Sequence, residues 1–289
     1  MTVKILTDSG CDLPAEVLQT YDIEVIPLLV LLDGKEYVDG QDISPDDVYA
    51  AMRAGKLPRT GQTTQAIFEE VFTRYAKAGR KCIYIGFSSK MSGTCQTGML
   101  TARAVKERFP DFQIEVIDSG CGSLGQGLVV QKAAEMARAG SDMTTITAAV
   151  KHWGRHTEHL FTVDDLEYLF RGGRVSRTSA FIGSLLSIKP ILHVKEGLML
   201  PLEKVRGKNK AIRRLLTLMQ ERCAKVEQTI AISHADDPEA ASRLQQLIEE
   251  TLGYKDFIVN KVGSVLGCHI GIGGVAVFFL NHAAVDQKI

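Results

Sequence analysis

The chain has 289 residues, of which 45% are hydrophobic and 24% charged, a composition typical of a globular protein with a substantial core. Its 34 basic and 34 acidic side chains cancel, so no global field favours nucleic acid or an anionic membrane surface. The six cysteines form no CxxC pair, which favours reduced thiols over a disulfide framework.

The N-terminus and the longest apolar stretch indicate whether the protein is secreted or inserted in a membrane. The N-terminus reaches an acidic residue by position 8 and lacks the apolar run of a signal peptide. The most apolar late stretch, residues 262–280, is interrupted by His269 and five glycines. A membrane span needs roughly 20 predominantly apolar residues. We therefore expect no stable membrane insertion and a cytoplasmic location.

The first half of the chain alternates short apolar runs with helical patterns. Strands are predicted at residues 3–6, 23–32, 82–87 and 114–117, a hairpin turn at Asp33–Gly34, and helix starts at Asp12–Pro14, Ser44–Pro45 and Thr64. Such alternation predicts a mostly parallel sheet whose carboxyl-end loops meet at one edge. Three polar turns should converge there, at residues 8–11, 88–89 and 118–121. The alternative is that Asp8 and Asp118 only cap the helices that follow them.

The second half predicts a different architecture. A strand is predicted from Phe161, and Lys195–Gly197 is typical of a hairpin turn between strands. Helices are predicted at residues 209–222 and 238–251, strands at 229–233 and 257–262, and buried strand and turn over 262–280. The predicted fold class is α/β: an N-terminal domain (1–155) with a mostly parallel sheet flanked by helices, and a C-terminal α+β domain (156–289) with a mixed or antiparallel sheet.

Several segments could bind an anion. Residues 88–94, between a predicted strand and a helix, combine hydroxyls with Gly93 and would direct N–H groups at a carboxylate or phosphate. Residues 60–64 form a similar helix start. The flexible Arg171-Gly-Gly-Arg174 segment offers two guanidinium groups, and His269 lies in an apolar, glycine-rich stretch. Helix capping, a solvated surface turn and a buried structural histidine remain the alternatives.

Two further clusters are less specific. His152, His156 and His159 have the spacing of one helical face and could hold a metal. No HExxH pattern is present and neighbouring basic residues would repel a cation, so no metal is predicted. Six basic residues between Lys204 and Arg214 form either a solvated helix start or a docking site for an acidic or phosphorylated partner.

Taken together, the ordered motifs resemble those of the DegV family of bacterial fatty-acid-binding proteins, which includes the lipid-carrying subunit of fatty-acid kinase. They run from residue 3 to about 280 and comprise residues 8–14, 60–62, 92–96, 118–119, 166–174, 188–192, 204–207 and 267–271. Four positions differ from the usual family pattern: Gly61, Thr63, Cys95 and Ile272 stand where serine, proline, tyrosine and proline are common.

The resemblance implies a buried fatty acid between two α/β domains and no other cofactor. Its carboxylate would be held at Thr60, Ser92 and Gly93, with His269 and Arg171 nearby. In the family's kinase systems, a separate ATP-dependent subunit phosphorylates this carboxylate, giving acyl phosphate for phospholipid synthesis. The positions matching the family's basic segment, Lys204 and Arg206, would contact that kinase.

Residues 181–186 and 265–279 are candidate linings for the acyl chain. A rival interpretation is an acyl hydrolase or acyltransferase with Ser92 as nucleophile and His269 as base, although no GxSxG elbow is present. A nucleotide-binding domain is a third interpretation, but neither GxGxxG nor GxxxxGK[ST] occurs.

Overall fold

The computed structural model describes residues 2–176 and 187–281, so the predicted lining segment 181–186 lies outside the described residues. The strands are β1 (Lys4–Asp8), β2 (Glu24–Ile26), β3 (Leu29–Leu32), β4 (Lys35–Val38), β5 (Arg59–Gly61), β6 (Cys82–Gly86), β7 (Ile114–Asp118), β8 (Thr157–Thr162), β9 (Ile188–Lys195), β10 (Leu198–Arg206), β11 (Ile230–His234), β12 (Phe257–Lys261) and β13 (Val275–Leu280). The helices are α1 (Ala15–Thr20), α2 (Pro45–Arg53), α3 (Gln65–Lys77), α4 (Thr94–Arg108), α5 (Ser123–Arg138), α6 (Met143–His156), α7 (Glu167–Gly172), α8 (Lys208–Arg222), α9 (Pro238–Leu252) and α10 (Ser264–Ile270).

The first half forms a parallel sheet with strand order β2-β1-β6-β7. One face packs on α3 and α4 through an aromatic cluster of Phe68, Phe72 and Tyr84. The other face packs on α5 and α6 around buried aliphatic residues such as Leu124 and Ile146. The predicted parallel sheet with flanking helices is confirmed.

The second half forms a mixed sheet with strand order β10-β9-β8-β13-β11-β12, in which only the β11–β12 pair is parallel. Helices α8 and α9 pack on one face through residues such as Leu215 and Leu244. The predicted hairpin is confirmed: Glu196 and Gly197 have φ angles of 52° and 79°, as a two-residue turn between twisted strands requires. The α/β fold class is therefore correct. The domain boundary at residue 155 stays a prediction.

The segment 23–32 is not one strand, as its apolar run predicted, but two strands in different sheets. β2 ends before Pro27, whose missing N–H cannot continue a ladder. β3 then pairs with β4 and β5 in a small antiparallel sheet. The turn at Asp33 and Gly34 is confirmed, with positive φ at both residues.

The segment 262–280 contains a helix where strand and turn were predicted. α10 begins after Gly263 and ends before Gly271, and only the part that forms β13 is strand. The glycine inside this helix, Gly267, allows Tyr49 to approach closely, since an added Cβ would lie 2.9 Å from the Tyr49 hydroxyl. As a result, His269 lies in the last turn of a helix.

All three predicted helix starts are confirmed. Ser44 caps α2 and Thr64 caps α3 through their side-chain oxygens. α1 begins directly after Pro14, but Asp12 does not cap it. Instead, the buried Asp12 carboxylate accepts hydrogen bonds from the Ser123 hydroxyl (2.6 Å) and the Gly263 N–H (3.0 Å). It thereby joins the first turn of the chain to the loop before α10, and burial raises its pKa to about 7.

No helix in the part of the chain that the structure describes is long and apolar enough to cross a lipid bilayer.

Candidate ligand cavity

An apolar cavity lies between the mixed sheet, α5 and α10. It contains about 470 Å³ of space not occupied by atoms. Its walls are largely hydrocarbon and include Met91, Phe161, Val194, Met199, Leu266, Ile270, Ala276 and Phe278. Four of these, Leu266, Ile270, Ala276 and Phe278, fall in the predicted lining segment 265–279. The space suits a hydrocarbon chain, since a buried polar group would find few partners here.

A second, more polar cavity adjoins the first and contains about 650 Å³ of space. The two share four wall residues, Met91, Met199, Leu266 and Ile270. An apolar space and a polar space therefore lie side by side, with these four side chains between them.

Four of the predicted site residues line the polar cavity: Thr60, Ser92, Gly93 and His269. They come from elements far apart in sequence. β5 brings Thr60 into the small antiparallel sheet by pairing with β3, and α10 brings His269 beside it. The Thr60 Oγ1 and His269 Nε2 atoms lie 2.8 Å apart in a hydrogen bond.

His269 is an uncharged polar group at the inner wall of this cavity. Burial, with the nearby Arg174 charge, lowers its pKa to about 4, so the imidazole is neutral at pH 7. Its Nδ1 atom is buried without a hydrogen-bond partner. That atom faces Gly172, where an added Cβ would lie 2.2 Å away. The glycine in the arginine segment therefore makes room for the histidine.

Ser92 and Gly93 lie at the start of α4. Gly93 occupies the N-cap position without a side-chain cap, so the positive end of this long helix faces the cavity. The Ser92 hydroxyl oxygen accepts a hydrogen bond from the Thr94 N–H at 3.2 Å. Gly93 also allows Gln62 to approach, since an added Cβ would lie 2.0 Å from its Oε1. Gln62 is a lining residue that the sequence analysis did not single out.

The loop that carries Ser92 is held by two carboxylates at the ends of parallel strands. Asp8 accepts a hydrogen bond from the Phe87 N–H (2.8 Å), and Asp118 accepts one from the Ser89 N–H (3.2 Å). The predicted convergence of the polar turns is thus observed. The alternative, that these aspartates cap the helices that follow, holds for Asp8, which caps the short 3-10 helix Ser9–Cys11, and is wrong for Asp118, which does not cap α5.

The two arginines of the glycine-rich segment have different places. Arg171 is exposed and stacks over Tyr168, 4.8 Å from the ring centroid. It lines an outer depression together with Arg59, His269 and Thr60 rather than the polar cavity itself. Arg174 lines both spaces. The sequence offered both arginines as anion-binding groups, whereas the family resemblance implied only Arg171 near the carboxylate.

Arg174 also holds the loop that contains Met91. Its Nε donates to the Met91 carbonyl at 3.0 Å, and a terminal nitrogen donates to the Gly172 carbonyl at 2.5 Å. The guanidinium is half-buried, and burial lowers its pKa from the usual value. Its charge raises the electrostatic potential at the polar end of the cavity, which favours an anionic group there.

The three histidines do not share a helical face, so that prediction is wrong. α6 ends at His156, and His159 lies in β8. Over residues 2–176 and 187–281, no group of three or more histidine, cysteine or carboxylate side chains is arranged to hold a metal ion.

The basic segment is partly engaged in ion pairs. Lys208 pairs with Asp164 and Asp237 at 3.2 and 3.0 Å, and Arg214 pairs with Glu203 at 2.5 Å. Lys204 and Arg206 are exposed on the outer side of β10 and do not line either cavity. Neither side chain therefore contacts the space inside the cavities.

Comparison with known proteins agrees with this architecture. The family model described as "Uncharacterised protein, DegV family" matches residues 2–282. A DegV domain-containing protein of Clostridium perfringens is 39% identical over 281 residues, which cover 96% of this chain and 97% of that protein.

Two solved structures are also similar. A DegV family protein from Thermus thermophilus, described by its fatty acid binding, has a TM-score of 0.87 and 30% identity, covering 97% of this chain and 100% of that one. DegV from Bacillus subtilis, described as a fatty acid binding protein, has a TM-score of 0.83 and 29% identity, covering 96% and 98%. The chain therefore belongs to the DegV family, as the motifs in its sequence predicted.

Proposed function

We propose that this protein binds one long-chain fatty acid, with the acyl chain in the apolar cavity and the carboxylate in the polar one. The observation that carries the proposal is that an apolar space and a polar space lie side by side and share four wall residues. The fatty acid binding described for the relatives from Thermus thermophilus and Bacillus subtilis supports it.

The energetics of burial favour such a ligand. Transfer of an acyl chain from water contributes about 0.8 kcal/mol per CH₂, hence on the order of 10 kcal/mol for about 16 carbons before the costs of association. An unpaired buried carboxylate would cancel several kcal/mol of this gain. The hydroxyls of Thr60 and Ser92 and the N-terminus of α4 at Gly93 supply donors for it. His269 adds a polar group near the carboxylate, and Arg171 and Arg174 add positive charge.

The geometry favours a carrier over a hydrolase or acyltransferase. A serine nucleophile needs its hydroxyl within hydrogen-bond reach of the base. The Ser92 hydroxyl instead bonds within its own loop to Thr94, and His269 Nε2 bonds to Thr60. No carboxylate orients the other nitrogen of His269, which has no partner. In this account the protein holds the acid without attacking it.

We further propose that the carrier presents the carboxylate to a separate fatty-acid kinase in the cytoplasm. A carboxylate oxygen would attack the γ-phosphorus of ATP, giving acyl phosphate and ADP, and the acyl phosphate would serve phospholipid synthesis. The outer depression beside the polar cavity contains Arg59, Arg171 and Arg174, which suits a site where phosphate charge develops.

Native mass spectrometry of the purified protein tests the binding proposal. We expect a fatty-acid adduct in the protein as isolated, or after incubation with palmitic acid, and no adduct with a fatty alcohol of equal length at the same concentration. If the protein remains unliganded with palmitic acid, the proposed function is wrong.

Charge reversal on β10 tests the kinase proposal. The double variant Lys204→Glu/Arg206→Glu should lower kcat/KM for acyl-phosphate formation by a fatty-acid kinase more than about 10-fold, because like-charge contacts at an interface cost several kcal/mol. It should retain fatty acid, since neither residue lines the cavities. Lys210→Glu/Arg213→Glu, the same charge change at exposed positions of α8, is the matched control. Equal rates for both double variants would exclude β10 as the docking site.

A further inference from the structure

The far end of the apolar cavity is formed by two neighbouring rows of side chains on the mixed sheet. Phe161, Ala276 and Ser233 lie side by side in the first row, since β8, β13 and β11 pair in that register. His159 and Phe278 are paired in the next row. His159 and Phe278 line the apolar cavity, and neither residue lines the polar cavity. Ile270, a wall residue of both cavities, packs against Gly274 just before β13 begins, so this second row lies farther from the shared wall than the first.

His159 is held in one orientation by hydrogen bonds at both ring nitrogens. Nδ1 lies 3.0 Å from the Thr157 carbonyl oxygen, to which only a protonated nitrogen can bond. Nε2 accepts a hydrogen bond from the Gly122 N–H at 3.3 Å. Burial lowers the pKa of this histidine to about 4, so it stays neutral at pH 7. With both nitrogens occupied, the ring offers the cavity only its carbon surface.

Helix α5 closes on the same ring from the other side. An added Cβ at Gly125 would lie 2.2 Å from His159 Nε2, so the glycine allows direct contact between helix and ring. Phe278 packs edge-on against the imidazole, with ring centroids 5.2 Å apart and planes at 85°. His159 is 3% exposed and Phe278 2% exposed. The ring cannot swing aside without breaking these contacts.

We propose that His159, backed by Phe278 and α5, is the stop that sets the longest acyl chain this protein accepts. The inference rests on the proposed fatty-acid function and assigns a specificity-determining role to one residue of the cavity. With the carboxylate held in the polar cavity, each longer fatty acid extends farther toward the His159 ring. Affinity should rise about fourfold with each added methylene until the chain end contacts the ring. Beyond that length, each added carbon must be compressed or displace the ring, and affinity should fall.

Competition among saturated fatty acids of about 12 to about 20 carbons tests this assignment. Delipidated wild type and His159→Ala are incubated with the mixture, and the bound species are measured by native mass spectrometry. Removing the ring should move the preferred length upward by about two carbons, because space next to the chain end becomes available. The His159→Leu variant restores most of the side-chain volume without the hydrogen bonds, and its preferred length should match the wild type.

The outcomes separate this inference from the proposed function. Wild type that binds no fatty acid would overturn both. Wild type that binds, with an unchanged length preference in folded His159→Ala, would overturn only the role of His159. Equal shifts in the alanine and leucine variants would also overturn it, because the hydrogen bonds rather than the ring volume would then set the length. Thermal unfolding of each variant verifies that it is folded.

Discussion

Replacing Thr60 by valine and Ser92 by alanine together should lower the affinity for a long-chain fatty acid by at least about 100-fold. Each hydroxyl lines the polar cavity and can donate one hydrogen bond to a carboxylate. A hydrogen bond to a charged group contributes about 1.5–3 kcal/mol, and each 1.4 kcal/mol corresponds to a factor of ten. Valine preserves the shape of threonine, so the small sheet that carries position 60 should remain intact. Isothermal titration with palmitic acid measures the loss.

The methyl ester of the same acid is the matched ligand for this experiment. It has the same acyl chain but no charge, so its affinity should differ little between wild type and the double variant. A loss of equal size for acid and ester would show that the substitutions disturb the cavity walls, and the assignment of Thr60 and Ser92 to the carboxylate would be wrong. A double variant with wild-type affinity for the acid would contradict it directly.

The largest loss of stability is expected from Asp8→Ala. The buried Asp8 carboxylate accepts four hydrogen bonds, from the Tyr84 hydroxyl, the Gln126 amide and the N–H groups of Phe87 and Gly10. Alanine leaves these donors buried without an acceptor and opens a cavity beside them. We expect the free energy of unfolding to fall by about 3–5 kcal/mol. Urea denaturation followed by circular dichroism measures it.

Asp8→Asn is the conservative control and has its own dependence on pH. Burial raises the pKa of Asp8 in the folded protein above its ordinary value of 3.8, so the unfolded chain ionises first as the pH rises. The wild type therefore loses stability on going from about pH 4 upward, until the folded-state pKa is passed. Asparagine cannot titrate, so its stability relative to wild type should improve over that range. A constant difference across pH would show that Asp8 does not titrate with a raised pKa.

Much of the fold followed from local patterns. Alternating apolar runs and capping residues predicted the parallel sheet, and the Lys195–Gly197 turn predicted the hairpin of the mixed sheet. Sequence reasoning failed where a single residue or a contact distant in sequence determines the secondary structure. Pro27 splits one apolar run between two sheets. Gly267 looked like a helix breaker, yet it is required inside α10 by the approach of Tyr49 from α2.

The candidate site was predictable as a set of residues, but not as an arrangement. Motif order brought Thr60, Ser92, Gly93 and His269 together, and all four line one cavity. The choice of Arg171 over Arg174 was not decidable from the Arg-Gly-Gly-Arg segment alone. Which guanidinium turns inward depends on the carbonyl of Met91, 83 residues away in the chain. Such long-range pairings leave no trace in local periodicity.

The contact between Thr60 and His269 joins positions 209 residues apart. During synthesis the segment that forms α10 must leave the ribosome before it can reach β5, although earlier segments can already begin to fold. A nascent chain shorter than this therefore has no closed cavity to fill. Whatever molecule the protein carries has to enter after α10 has emerged.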